Sequence, residues 1–251
     1  MAVNFSNLSR GGVVGRLARL PLRLIPKGAT LPVMQGPLKG ARWIAGSHVH
    51  GCWLGSYEME KQLAFGRDVK PADVVYDIGA NVGFYTLLAS RLVGPAGHVF
   101  AFEPLPRNLG LLRKHVAINS LSNVTIRPQA VSDKPGEALF STSADPAQNG
   151  LTEQGDIRVQ VTAVDVLLDK GEIKPPNLMK IDVEGAEAMV LRGAAKAISA
   201  HRPIIYLATH NDDVHRECLQ ILRGHGYTLS SMDAEPLETT REVLCVHESG
   251  R

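Results

Sequence analysis

The chain has 251 residues, 44% of them hydrophobic, with a net charge of +2; this suits one large α/β domain with a small appendage and excludes a disordered chain. No run of eighteen apolar residues occurs, so no membrane-spanning helix is expected. Cys52, Cys218 and Cys245 fit neither a disulfide framework nor a zinc cluster; they read as small buried residues in a reducing, cytoplasmic setting.

Residues 1–57 carry Arg10, Arg16, Arg19, Arg23, Lys27, Lys39 and Arg42 and no acidic residue, while the remainder holds 20 basic and 25 acidic residues. We set residues 1–57 apart as a basic N-terminal segment and cap, and 58–251 as the main domain. Pro21 and Pro26 prevent one long amphipathic helix, and no secretory signal is expected. Basic and apolar residues together allow residues 1–42 to touch an anionic membrane or a phosphate-bearing acceptor; the plain alternative is a cap packed on the domain. From Gly36 to Gly55, around Trp43 and Trp53, short extended strands covering the sheet or the pocket are expected, followed by a helix from Tyr57 to Phe65.

The segment from Val74 to Thr86 reads as a buried strand, a turn of the form Asp-x-Gly-x-Asn-x-Gly, and the start of a helix. Gly79 and Gly83 permit a sharp bend and close approach of a ligand. The spacing is not Gly-x-Gly-x-x-Gly, and Asp77 would repel a pyrophosphate, which argues against a nicotinamide dinucleotide. A cationic ligand rich in hydroxyls and amines suits it better, and S-adenosylmethionine is one. The next strand, near 98–103, ends in Glu103, twenty residues beyond Gly83, where a carboxylate can accept hydrogen bonds from a ribose. Pro104 and Pro106 stop that strand, and a helix follows over 105–119.

Further strands are expected near 123–131, 177–182, 203–208, 227–231 and 242–247, with helices near 83–92, 185–199 and 212–224. Strand–helix alternation predicts a doubly wound, mostly parallel sheet. Between Ala130 and Asn177 the alternation breaks: residues 138–142 and 157–162 read as a hairpin around a polar loop, and 162–168 as a capped short helix.

At Leu178-Met179-Lys180-Ile181-Asp182-Val183-Glu184-Gly185-Ala186-Glu187, with the glycine turn and Phe102-Glu103-Pro104, the chain resembles the FkbM-type S-adenosylmethionine-dependent methyltransferases, from about Gly55 to Val246. The resemblance implies a class I, Rossmann-like methyltransferase fold with an antiparallel last strand. It also implies S-adenosylmethionine as cofactor and a hydroxyl acceptor on a sugar, glycolipid or natural product. Cofactor contacts are then expected from Asp77, Gly79, Ala80, Asn81, Gly83, Tyr85 and Thr86 along the turn and helix. Glu103, Pro104 and Asn108 would add to these, with Ala130 and Val131 by the adenine and Asp182 near the sulfonium.

Methyl transfer to an alcohol needs an in-line approach and a group that takes or polarises the hydroxyl proton. The catalytic candidates are His210 as leading base, Asp182 and Glu184. Glu184 and Glu187 both stand at a helix N-terminus, which favours carboxylates on structural grounds alone; Glu187 is read that way, and Glu184 either way. Lys180 shares a face of its strand with Asp182, as ion-pair partner or acceptor ligand. The family often has a glutamate near His210, a departure here. Asp182, Glu184, His210 and Asp212 match no recognised metal spacing, so no metal is predicted. An RNA methyltransferase is the alternative function, but Asn-Pro-Pro-Tyr chemistry is absent and no nucleic-acid partner is expected. No residue names the acceptor or the oligomeric state.

Overall fold

The computed structural model describes residues 24–141, 150–152 and 157–249. Arg10, Arg16, Arg19 and Arg23 of the basic segment lie outside the described residues, as does most of the polar loop after residue 141. The chain first forms a small antiparallel pair, β1 (Thr30–Pro32) and β2 (Arg42–Ile44), and two helices, α1 (Gly51–Leu54) and α2 (Met59–Asp68).

Alternation then starts. β3 (Val74–Ile78), α3 (Phe84–Val93), β4 (His98–Phe102), α4 (Pro106–Ile118) and β5 (Val124–Arg127) precede a second, four-stranded sheet. That sheet contains β6 (Ala130–Val131), β7 (Gly136–Ser141), β8 (Gly150–Thr152) and β9 (Ile157–Thr162), in the order β6-β9-β7-β8. After α5 (Val164–Asp169) come β10 (Leu178–Ile181), α6 (Glu187–Gly193), α7 (Ala195–His201), β11 (Ile204–Ala208), α8 (Asp212–Gly224), β12 (Tyr227–Ser231) and β13 (Glu242–His247).

The main sheet has seven strands in the order β12-β13-β11-β10-β3-β4-β5. β11, β10, β3, β4 and β5 pair in parallel. β13 is antiparallel and wedged between β11 and β12. This is the class I methyltransferase topology, with the last strand reversed as expected. The central strands are apolar almost throughout and are covered on both faces, which suits a parallel sheet sandwiched by helices. Ile78, Ile181 and Leu207 stand in one register row, so β3, β10 and β11 end level with one another. Their C-terminal ends open onto a shared crevice, where ligands of open α/β sheets bind.

Three sequence expectations need correction. The strand expected over 123–131 is two strands in two sheets, because Pro128 has no N–H to continue the ladder. The helix expected over 185–199 is broken at Ala194. Gly193 lies so close to Ser132 that a Cβ would sit 2.0 Å from the Ser132 carbonyl oxygen. A new helix then starts because the Asp165 carboxylate accepts from the N–H groups of Lys196 and Ala197, both at 2.9 Å. α5, expected to be capped, has Ala163 before its first residue and no side-chain cap. The expected hairpin is present as β7 paired antiparallel with β9. Extended structure within 36–55 is confined to β2, and Gly51–Leu54 is helical.

Residues 24–57 pack on the α3 side of the sheet. Trp43 is fully buried, stacked on His115 of α4 at 4.0 Å between ring centroids and edge-on to Phe84. His115 accepts from the Ile44 N–H at 3.1 Å and donates from Nδ1 to the Val82 carbonyl at 2.7 Å. One buried imidazole thus ties the cap to the glycine turn. Cys52, Cys218 and Cys245 are free and buried, as expected. Among the described residues, no helix is long and apolar enough to cross a membrane.

Candidate active site

The turn after β3 is shaped by backbone rather than by side chains. Gly79 has φ +79°, and a Cβ there would lie 1.8 Å from the Asp182 carbonyl oxygen, so only glycine lets the ends of β3 and β10 approach. Gly83 is also left-handed, and the space a Cβ would need is filled by Leu112 of α4. The two glycines therefore serve chain packing, a role beyond the bend and ligand approach that the sequence suggested. Asn81 takes φ +51° without being glycine.

Glu103 leaves the end of β4 and turns back over this bend. One carboxylate oxygen accepts from the Asn81 N–H at 2.8 Å; the other accepts from the Leu105 N–H at 2.8 Å and the Asn108 amide at 3.4 Å. Burial pushes its pKa up against the pull of those donors. The oxygen that accepts from Asn81 keeps lone-pair capacity for a ribose hydroxyl.

A cavity of about 260 Å³ runs from this bend to the end of β10. Gly79, Ala80, Asn81, Tyr85, Glu103, Pro104, Asn108, Ala130, Val131, Asp182 and Glu184 line it, bringing together most of the residues singled out from sequence. Asp77, Gly83, Thr86 and His210 are not among the lining residues. Asp77 is buried beneath the turn, accepting from the Thr86 hydroxyl at 2.6 Å and standing 3.6 Å from Lys180 Nζ. Sequence reasoning missed His48 and Tyr57 from the cap and Phe140 from the second sheet, which also line the cavity. The distance of these residues from any motif left no signal beyond the expectation that the segment from Gly36 to Gly55 covers the sheet or the pocket.

At the β10 end, charges concentrate. Lys180 is buried, 3.2 Å from Asp182 and from the Gly79 carbonyl oxygen. Burial opposes its charge, but Asp182, Asp77 and Glu58 outweigh that and raise its pKa. Burial likewise works against ionised Asp182, and Lys180, Lys61 and His210 overcome it to lower its pKa.

His210 follows β11 and meets three carboxylates. Its Nδ1 is 2.8 Å from Glu187, and its Nε2 is 3.3 Å from Glu184 and 3.6 Å from Asp182. Glu187 is completely buried and also accepts from the N–H groups of Val183 and Gly185. Being an acceptor for these, it takes the Nδ1 proton and turns Nε2 toward Asp182 and Glu184. Burial lowers the His210 pKa, but its bond to Glu187 and the surrounding carboxylates raise it overall. Both ring nitrogens are thus engaged with carboxylates. Glu184 adopts φ +55°, and burial raises its pKa. Glu187, read from sequence as a helix-end carboxylate, is the group that orients His210. Asp212 lies away from the cluster, paired with Arg241; Asn211 caps α8. Asp182, Glu184 and His210 each offer one donor atom within 4.8 Å of the others, despite their unrecognised spacing.

Comparison with known proteins agrees with this geometry. The family model described as the methyltransferase FkbM domain matches residues 77–229. The hexuronic acid methyltransferase AglP of Haloferax volcanii is 30% identical over 51% of this chain and 52% of its own length, so the match spans about half of that relative. The 31-O-demethyl-FK506 methyltransferase FkbM of Streptomyces tacrolimicus is 30% identical over 72% of this chain and 82% of its own. The structure of methyltransferase FkbM from Methylobacillus flagellatus shares the fold, with TM-score 0.50 and 17% identity over 80% of this chain and 56% of that one.

Proposed function

The chain belongs to the FkbM methyltransferase family, with S-adenosylmethionine as cofactor, and from that premise we propose that it methylates a hydroxyl oxygen of a sugar, glycolipid or natural-product acceptor. One observation carries this reading: a single cavity joins the glycine turn and Glu103 to Asp182 and Glu184, the two carboxylates that face His210. Glu103, Asn81 and Asn108 hold the ribose end of the cofactor, and Ala130, Val131 and Phe140 enclose its base. Asp182 faces the sulfonium. The acceptor enters between the cap residues His48 and Tyr57 and the cluster Asp182, Glu184 and His210.

Bound S-adenosylmethionine would supply the methyl group and leave as S-adenosylhomocysteine. Asp182, Glu184 and His210 would hold the acceptor hydroxyl towards that methyl group and pass its proton to water. The donor is already activated, so alignment and charge stabilisation of the acceptor oxygen carry the rate. An acidic cluster at the reacting end opposes the phosphates of a nucleic acid, which sets the RNA reading behind this one.

We place the methyltransferase domain at 58–251, with residues 24–57 as its cap, in a reducing cytoplasmic setting that keeps the three cysteines free. Contact of residues 1–42 with a membrane or a phosphate-bearing acceptor is tested by deleting residues 1–27. Acceptor or membrane affinity should fall and cofactor affinity should hold; loss of both refutes that contact. The main test incubates the chain with S-adenosylmethionine and a panel of sugars, glycolipids and polyketide alcohols. Mass spectrometry should find one added methyl as a base-stable ether. Methyl transfer confined to nitrogen, carboxylate or RNA would refute the reading.

A further inference from the structure

We propose that Asp182, Glu184 and His210 bind a divalent first-row cation of the Mn²⁺ type, which takes the acceptor oxygen as a further ligand. This inference rests on the cluster being the place where the hydroxyl is activated, and it makes His210 a ligand rather than the base.

Glu187 is an ionised acceptor and claims the Nδ1 proton of His210. The Nε2 lone pair then faces carboxylate oxygens at 3.3 and 3.6 Å, and three electron-rich atoms converge. Convergent lone pairs call for something electropositive between them. With metal–ligand bonds of about 2.1 Å, neighbouring ligands stand about 3.0–3.4 Å apart, close to the two separations from Nε2, and all three donor atoms lie within 4.8 Å of one another.

Charge points the same way. Asp77, Asp182, Glu184 and Glu187 are linked through Lys180 and His210, four carboxylates around one lysine. Lys61, which favours ionised Asp182 from a distance, is itself paired with Glu58 and Glu242. One oxygen of Asp77 and one of Glu187 are buried without a hydrogen-bond partner among the described residues. Even an imidazolium would leave this network negative, and a divalent ion compensates more of it. A buried carboxylate behind a histidine is also how metal-bound imidazoles are oriented. Two carboxylates and one imidazole suit Mn²⁺ better than a soft ion, and three protein ligands leave positions for water and the acceptor oxygen.

The test uses the full chain stripped with chelator, freed of it, and titrated with Mn²⁺ while free Mn²⁺ is followed by electron paramagnetic resonance. One saturable site per chain is expected. Its affinity should fall at least tenfold in Glu184→Gln, whose side chain is half exposed, and in Asp182→Asn and His210→Gln. Glu137→Gln, in an exposed pair with Arg158, should leave it unchanged. Circular dichroism and thermal melting of each variant show that it is folded. Absence of a saturable site, or equal affinity across all variants, overturns the cation site. Methyl transfer at an undiminished rate in chelator overturns its role and leaves hydroxyl methylation standing. Failure of the unaltered chain to bind S-adenosylmethionine strikes at the methyltransferase reading instead, whatever Mn²⁺ does.

Discussion

The two ends of the cavity are built on opposite plans. At the turn after β3, backbone groups do the work, with Glu103 locked by two main-chain N–H groups and an amide. At the end of β10, side chains from three elements meet, with more negative charge than their neighbours neutralise. A site for an invariant cofactor can be fixed in advance by backbone geometry. A site that must develop charge on an acceptor oxygen keeps its electrostatics unsatisfied until the partner arrives.

The sharpest way to break this comparison is Gly79→Ala. The added Cβ would meet the Asp182 carbonyl oxygen and hold a left-handed φ, so both ends should fail together. We expect a loss of several kcal/mol in stability and about a hundredfold or more in S-adenosylmethionine affinity, read by thermal melting and calorimetry. Normal binding with a normal melting temperature would show that the two ends do not depend on this contact.

His210→Ala separates the ends. The kcat for the identified acceptor should fall roughly 10²- to 10³-fold while S-adenosylmethionine affinity changes less than about threefold. A large loss of cofactor affinity would mean that the cluster belongs to the donor side.

Glu103→Gln acts on the donor side alone. Losing a charged acceptor should weaken S-adenosylmethionine binding about tenfold and leave kcat at saturation almost unchanged. Burial raises the Glu103 pKa, so the ionised form that receives the ribose is lost as pH falls through a range above that of an exposed glutamate. Cofactor affinity should therefore decline on acidification earlier than exposed carboxylates allow, and Glu103→Gln should flatten that decline. An unchanged pH profile in the variant would assign the titration elsewhere.

The same contrast explains what could be read from the chain. The turn, Glu103 and the strand–helix alternation were legible because a glycine bend, a strand-end carboxylate and apolar periodicity are local in sequence. Lys180 and Asp182, two apart on one strand, were legible as an ion pair for the same reason. Glu187 as the partner of His210 was not, since the contact exists only once β10 and β11 lie side by side. His48 and Tyr57 were hidden for a similar reason, being carried to the cavity by Trp43 packing on His115.

Asp77 is the instructive case, and Thr86→Val tests it with the smallest effect. In sequence Asp77 opens the motif and looks like a cofactor ligand; in the fold it lies under the turn, bonded to Thr86 and near Lys180. Removing the Thr86 hydroxyl leaves a buried carboxylate oxygen without its donor, at a cost of about 1–3 kcal/mol. Chemical denaturation should show that loss, while S-adenosylmethionine affinity stays within about twofold. A selective loss of affinity at constant stability would return Asp77 to the ligand-binding surface. The first residue of the motif would then belong to the cofactor and not to the floor that supports it.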